Sequence, residues 1–270
     1  MKITIGIDIG QKVDPTSITV TEEIWRPPPR DLPGLKAYED HHLVRHMETL
    51  PLGTPYPRVV ERLTDIAKAV EERVRAGNLE NRAGWLEPTD VAVMKVYIDA
   101  TGVGLPIVDM MKAAGVAVTG VFFTHGDRRQ EKPDELTGEL IVVLGKAYMV
   151  ARLQALLQTN RIHLPRTAEA EALVRELLDY EIKVDQNAND KYGAFRVGAH
   201  DDMVTSLGLT VNKPPRLIGA ASSTPGHKAM QVPSWAGGAA DQGRLSSLPQ
   251  SAGLPAFGGL TQWDSITGAK

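Results

Sequence analysis

The chain has 270 residues, 42% of them apolar, and a formal net charge of −3 at neutral pH, which suits one large domain with appendages. No apolar run reaches the roughly 18 residues of a membrane helix, and the first strand pattern begins at Ile3 without an export signal, so a cytoplasmic protein is expected. The absence of cysteine excludes disulfides, thiolate zinc sites and cysteine nucleophiles, and the negative charge confines any nucleic-acid contact to local basic patches.

Alternation of Ile3, Ile5, Ile7 and Ile9 predicts a first strand, and the Thr-, Ile- and Val-rich run 17–25 a second. A turn at Asp14 and Pro15 joins them as a hairpin. Pro27, Pro28 and Pro29 lack donors and fix φ, so this stretch reads as an exposed loop. Residues 42–52 read as a third strand ending at Gly53. Residues 58–75 place Val59, Val60, Leu63, Ile66, Ala67 and Val70 at the spacing of an amphipathic helix. The apolar run 91–98 suits a strand covered on both faces; a helix over 105–114 and a strand over 116–123 follow, which is βαβ character. Residues 124–138 read as a polar loop, and 144–157, 168–180 and 201–211 as helices. Beyond Lys213 the composition turns to Gly, Ala, Ser and Pro without a sustained period. A domain over 1–213 followed by a largely disordered tail over 214–270 is expected, with Trp235 and Trp263 the only features there that suggest a binding segment.

Three short acidic motifs lie far apart in this order: Gly6-Ile7-Asp8-Ile9-Gly10, Tyr97-Ile98-Asp99-Ala100-Thr101-Gly102 and His200-Asp201-Asp202. The first two set a carboxylate in or at the end of an apolar run, where an unpaired charge is costly unless a cation or hydrogen-bond donors meet it. Asp8 shares a strand face with Gly6 and Gly10, leaving room for a metal and a phosphate. Asp99 ends a strand ahead of a glycine-rich turn, the end of an α/β sheet where ligands bind. Taken singly, Asp8 also suits a turn-proximal residue closing a loop, Asp99 a helix N-cap, and Asp201 and Asp202 a pair of acids complementing a helix dipole. In the last helix Asp201 shares a face with Val204 and Gly208 while Asp202 lies about 100° further round, so Asp201 is the expected ligand.

Three converging carboxylates are able to hold two divalent cations about 3.5 to 4 Å apart, one activating water and the other stabilising the leaving oxygen of a phosphodiester. An all-oxygen site favours Mg²⁺ or Mn²⁺. His200 is an auxiliary candidate that takes a proton, touches a phosphate or ligates a cation; a plain loop hydrogen bond is the alternative.

The order of these motifs, with Gly145-Lys146 and the run from Arg152-Leu153 to Arg161-Ile162-His163-Leu164-Pro165 between the second and third, resembles the nuclease domain of phage terminase large subunits. The resemblance spans nearly all of residues 3–212. It implies an α/β fold of the RNase H-like, RuvC-like superfamily, a mixed central sheet flanked by helices. It also implies metal-dependent cleavage of double-stranded DNA during viral genome packaging in the bacterial host cytoplasm, with Asp8, Asp99 and Asp201 or Asp202 as metal-binding carboxylates. Phosphate contacts to DNA are expected from Arg128, Arg129, Lys132, Lys146 and Arg152, each of which also reads as a solvated surface charge. One departure is large: the motifs begin at residue 3, and no GxxxxGK[ST] phosphate loop occurs. The expected partners are therefore a separate packaging ATPase, a small terminase subunit or a portal, with no membrane.

The segments Gly6-Ile7-Asp8-Ile9-Gly10 and Asp99-Ala100-Thr101-Gly102-Val103-Gly104 also resemble the phosphate loops of actin-like and sugar-kinase-like ATPases. His200-Asp201-Asp202 has no role there, and no glycine-rich adenosine loop follows. A RuvC-like Holliday junction resolvase differs in the DNA structure cut rather than in chemistry. An inactive scaffold is disfavoured by the presence of all three acidic motifs.

Overall fold

The computed structural model describes residues 2–10, 14–26, 39–82, 93–184, 190–194 and 200–213. Period-two alternation in β1 (Lys2–Asp8) sends Ile3, Ile5 and Ile7 to one face of the sheet and Thr4, Gly6 and Asp8 to the other. β2 (Ser17–Arg26) runs antiparallel to β1 and matches it residue for residue, Ile18 and Val20 beside the isoleucines, Ser17 and Thr19 beside Asp8 and Gly6. β3 (Glu39–Thr49) continues the meander, with a register shift opposite Val20 and Thr21.

The chain then crosses the isoleucine face as α1 (Tyr56–Arg82), whose Val59, Leu63, Ile66 and Val70 pack on Ile3, Ile5 and Ile7. It returns as β4 (Val93–Asp99), parallel to β1, then α2 (Gly104–Ala113) and β5 (Thr119–Thr124), parallel to β4. Three antiparallel strands followed by two parallel ones, in the order β3-β2-β1-β4-β5, give the RNase H-like arrangement. β6 (Arg129–Pro133) and β7 (Leu140–Gly145) extend the sheet beyond β5; α3 (Lys146–Gln158) crosses back, and β8 (Ile162–His163) pairs with β3 at the opposite edge. Among the described residues the sheet thus has eight strands in the order β6-β7-β5-β4-β1-β2-β3-β8. α4 (Ala168–Asp179), a separate hairpin of β9 (Tyr180–Val184) and β10 (Asp190–Ala194), and α5 (Asp202–Thr210) complete the described chain. α3, α4 and α5 form the second core with Tyr97, Val121 and Leu144.

Two segments differ from expectation. Residues 129–133 form an edge strand instead of part of a polar loop: Arg-Gln-Glu-Lys-Pro has no apolar alternation, and only the ladder to β7 defines it. The run Leu140–Gly145, rich in β-branched residues, is the strand that precedes the expected helix, which begins at Lys146. The proline loop over 27–29 and the tail over 214–270 lie outside the described residues.

α5 is buried along its whole length. It crosses β1 and β2 at backbone distance: a Cβ at Gly6 would overlap the Ser206 carbonyl oxygen. The Ser206 hydroxyl lies 3.1 Å from that of Ser17 and 2.8 Å from that of Thr19. A second polar junction sits under the other end of the layer. Buried Asp40 on β3 accepts from Arg152 of α3 at 2.5 Å, ion-pairs with Arg161, and lies 3.3 Å from His42 Nε2. Burial pushes the His42 imidazole down to about 4, keeping it neutral.

Gly6→Ala is expected to destabilise the protein by about 1–3 kcal/mol, because only backbone movement relieves the overlap. Gly208→Ala meets the buried Met149 side chain at Sδ and Cγ, which a rotamer change relieves without backbone movement, so the stability lost in a denaturant titration should be smaller than for Gly6→Ala. Arg152→Ala leaves Asp40 buried beside a diminished set of donors and is expected to cost about 3–5 kcal/mol. Equal midpoints for Arg152→Ala and wild type would remove this junction from the folding energetics.

Candidate functional site

The register that pairs Ile7 with Ile98 brings the two strand-terminal residues Asp8 and Asp99 side by side at the carboxyl ends of β1 and β4. Asp99 is fixed by the turn that follows it. Its Oδ1 accepts from the Thr101 amide at 2.8 Å, and the Thr101 hydroxyl accepts from the Phe123 amide at 3.0 Å. Gly104, the first residue of α2, lies against the Asp99 carbonyl where no Cβ fits. Asp14 comes from the loop between β1 and β2, which Thr16 closes by accepting from the Gly10 amide at 3.2 Å. Asp201 and Asp202 come from the start of α5, the first as its N-cap and the second in its first turn.

These five carboxylates line one open cleft of about 380 Å³. Lys146, the first residue of α3, is the only basic side chain lining it among the described residues, and its Nζ lies 5.7 Å from the centroid of the Phe123 ring. At one side, His200 Nδ1 is 3.5 Å from Asp14 Oδ1 and 3.7 Å from Asp202 Oδ2. Ligand atoms of Asp14, His200 and Asp202 all lie within 4.8 Å of one another. Among the described residues, neither His200 Nδ1 nor buried Asp202 Oδ2 has a hydrogen-bond partner.

Burial and crowding together raise the proton affinity of this cluster. Asp8 is held well above the carboxylate range by desolvation first, then by Asp99, Asp202 and Asp201, with Lys146 opposing. Desolvation raises Asp99 against the hydrogen bonds from Thr101, and raises Asp201 against the pull of Lys146. Asp202 is pushed up to about 7 by desolvation and then by Asp14 and Asp201, with His200 opposing. Behind the cleft, desolvation raises Glu176 of α4 to about 7, although its Oε2 accepts from the Met203 and Val204 amides at 2.9 and 3.2 Å. Carboxylate oxygens, one imidazole nitrogen and an unsatisfied buried oxygen suit a hard divalent cation, whose charge favours the ionised form of every group that desolvation disfavours.

Of the residues singled out from the sequence, Asp8, Asp99, Asp201, Asp202, His200 and Lys146 come together here. The helical-phase argument for Asp201 over Asp202 does not hold. Asp201 precedes the helix with φ −130° and ψ 13°, and α5 is buried all round, so both carboxylates reach the cleft. Arg128, 84% exposed, and Lys132, exposed on edge strand β6, remain surface cations. Two arginines turn inward instead. Arg129, 9% exposed, donates to Asn212 Oδ1 at 2.8 Å and pairs with Glu131; Arg152, also 9% exposed, is bound to Asp40. Both are engaged in ion pairs within the protein itself. From the sequence Asp14 reads as a turn former beside Pro15, behind the first acidic motif and without a ligand role, and nothing distinguishes Glu176 from the surface acids Glu169 and Glu171 on the same helix.

No family model matches the chain, and no curated protein matches it. Among solved structures it is similar to the large terminase nuclease from thermophilic phage G20c with bound cobalt, at 20% identity and a TM-score of 0.45 over 78% of this chain and 80% of that one. A second structure of the large terminase nuclease from phage G20c matches at 19% identity and a TM-score of 0.43, over 77% and 80% of the two chains. The large terminase nuclease domain of Thermus phage P74-26 matches at 13% identity and a TM-score of 0.37, over 77% of each chain. Similarity at this level leaves the chemistry to be argued from the cleft. Terminase nuclease domains, the family that the motif order resembles, are among the solved structures to which this chain is similar over about three quarters of its length.

Proposed function

We propose that the chain is a metal-dependent endonuclease of the terminase type, hydrolysing phosphodiester bonds of double-stranded viral DNA during genome packaging. The observation that carries this reading is the convergence of Asp8, Asp14, Asp99, Asp201 and Asp202 on one open cleft. A cluster of five acids is a poor receptor for a polyanion by itself, and a good one once cations bridge the two.

Asp8 and Asp99, with Asp201 and Asp202, would hold Mg²⁺ or Mn²⁺, and Asp14, His200 and Asp202 offer an adjoining set of ligand atoms. Two such cations supply Lewis-acid activation of the attacking water and of the leaving oxygen. Lys146 places a fixed positive charge at the cleft wall, where it orients a backbone phosphate and offsets the charge of Asp8, Asp99 and Asp201. His200 presents its Nδ1 beside Asp14 and Asp202, in position to take or return a proton. Exposed Arg128 and Lys132 contact phosphates without reading sequence, positioning the duplex. Among the described residues no helix is long and apolar enough to cross a membrane. The proposed setting is the bacterial cytoplasm, with a small terminase subunit or portal as further partners.

Supercoiled plasmid incubated with Mg²⁺ or Mn²⁺ is expected to be nicked and linearised, with EDTA, Asp8→Asn, Asp99→Asn or Asp202→Asn reducing cleavage to background. Hydrolysis of ATP without nicking would sink the nuclease reading. Charge reversal at Arg128 and Lys132 is expected to weaken duplex binding and to reduce the dependence of log K on log salt by about 1–2; an unaltered salt slope would remove them from the interface.

The raised carboxylates also make stability depend on pH. Asp202 keeps its proton up to about 7 when folded, against 3.8 for the free side chain. Between those values the folded state binds more protons, so its contribution is complete below the lower value and is lost as pH rises through the upper one. His42, lowered to about 4, and Lys213, lowered to about 7, act in the opposite sense. The readout is therefore a difference. In EDTA the thermal midpoint of wild type should fall relative to Asp202→Asn between about pH 5 and about pH 8. Saturating Mg²⁺ should restore wild type at the upper end. A difference that does not vary with pH would contradict the assignment.

A further inference from the structure

Asp201 occupies the N-cap of α5, yet its side chain makes no cap hydrogen bond. The Asp201 carbonyl does accept the first helical bond, from the Thr205 amide at 2.9 Å. An N-cap aspartate ordinarily turns its carboxylate back onto the amides of the second and third helical residues, which orients it toward the helix rather than toward a ligand. In α5 those amides belong to Met203 and Val204, and both donate to Glu176 Oε2 of α4, at 2.9 and 3.2 Å. Glu176 is absent from the cleft lining, whereas Asp201 is part of it.

We infer that Glu176 is a positioning residue that caps α5 from the neighbouring helix and thereby releases the Asp201 carboxylate into the cleft. The inference deepens the metal-dependent nuclease reading and rests on it for its consequence in catalysis. The chemistry is an exchange of partners. The helix terminus needs an acceptor for its free amides, and a carboxylate there is favoured by the helix dipole. Two acids compete for that position. With Glu176 in place Asp201 is spare; without it, capping by Asp201 satisfies the amides and withdraws a ligand from the cation site. The neighbouring Asp202, at the first helical position, has no part in this competition because its side chain already faces His200 and Asp14.

The test measures cation binding without DNA, on the full chain. Mn²⁺ titration followed by electron paramagnetic resonance should show affinity about 10- to 100-fold weaker for Glu176→Ala. Glu176→Gln, which keeps an acceptor oxygen, should stay close to wild type. A stability cycle in EDTA supplies a readout that a merely structural residue would not move. Asp201→Ala should leave the thermal midpoint of wild type unchanged or raised, and should lower it in the Glu176→Ala background, where Asp201 has become the cap. If Glu176→Ala fails to fold, Glu176→Asp, which withdraws the acceptor by one methylene, carries the same two measurements. Mn²⁺ affinity equal to wild type, or an Asp201→Ala shift of the same size and sign in both backgrounds, would overturn the inference. Loss of nicking by wild type itself would instead sink the nuclease reading and leave the binding comparison standing.

Discussion

The close approach of α5 to β1 is the constraint on which the rest depends. Gly6 has no side chain, so the Ser206 backbone comes down onto the strand, and the Ser206 hydroxyl settles between Ser17 and Thr19. That contact sets the height of α5 above the sheet. It also brings the turn carrying Asp201 and Asp202 over the ends of β1 and β4, where Asp8 and Asp99 stand. A helix one side chain further away would separate the acids by several ångströms and leave them as isolated surface charges. The face of β1 that bears Gly6 therefore belongs to the site, and the isoleucine face, packed under α1, belongs to the core.

Within the cleft the dominant electrostatic effect is the removal of water, which comes first among the causes raising Asp8, Asp99, Asp201 and Asp202. Repulsion by neighbouring carboxylates comes second at Asp8 and Asp202 and behind the opposing pull of Lys146 at Asp201, while Asp99 is raised by desolvation against its donors. The ordering matters because repulsion between exposed acids is screened by salt, whereas a desolvation penalty persists until a proton or cation arrives. Lys146 is a single charge against five carboxylates, and part of its surroundings is the Phe123 ring. The cleft so built takes up protons or cations in preference to remaining fully ionised, and it repels a phosphate backbone until its charge is reduced.

Much of this was readable from the sequence. The β1–β2 hairpin, the α1 stripe, the βαβ passage and the three acidic motifs follow from periodicity and from carboxylates placed where apolar runs end. What escaped has a common physical character: it depends on partners that the periodicity of a segment does not reveal. β6 contains no apolar pattern and exists only as the mate of β7. The phase argument at Asp201 presupposed a helix with an exposed side, and α5 has none. Arg129 and Arg152 resemble surface cations until Asn212, Glu131 and Asp40 are found beside them. Asp14 was legible as a turn former, which it is, and that role concealed its contribution to the cleft.

The two inward arginines and Glu176 have one consequence in common. Arg152 donates to the Val211 carbonyl at 3.4 Å while bound to Asp40, and Arg129 holds Asn212, so the carboxyl end of α5 is tied to α3, β3 and β6. Glu176 ties the amino end to α4 through two amides. A short helix bearing repelling acids at its first turn has every electrostatic reason to shift away from Asp8 and Asp99. Restraint at both ends, with the Gly6 contact between them, opposes that shift and keeps the acids gathered. The cations that sequence reasoning assigned to the DNA thus act, in part, on the protein itself: they hold the helix on which the candidate ligands are mounted.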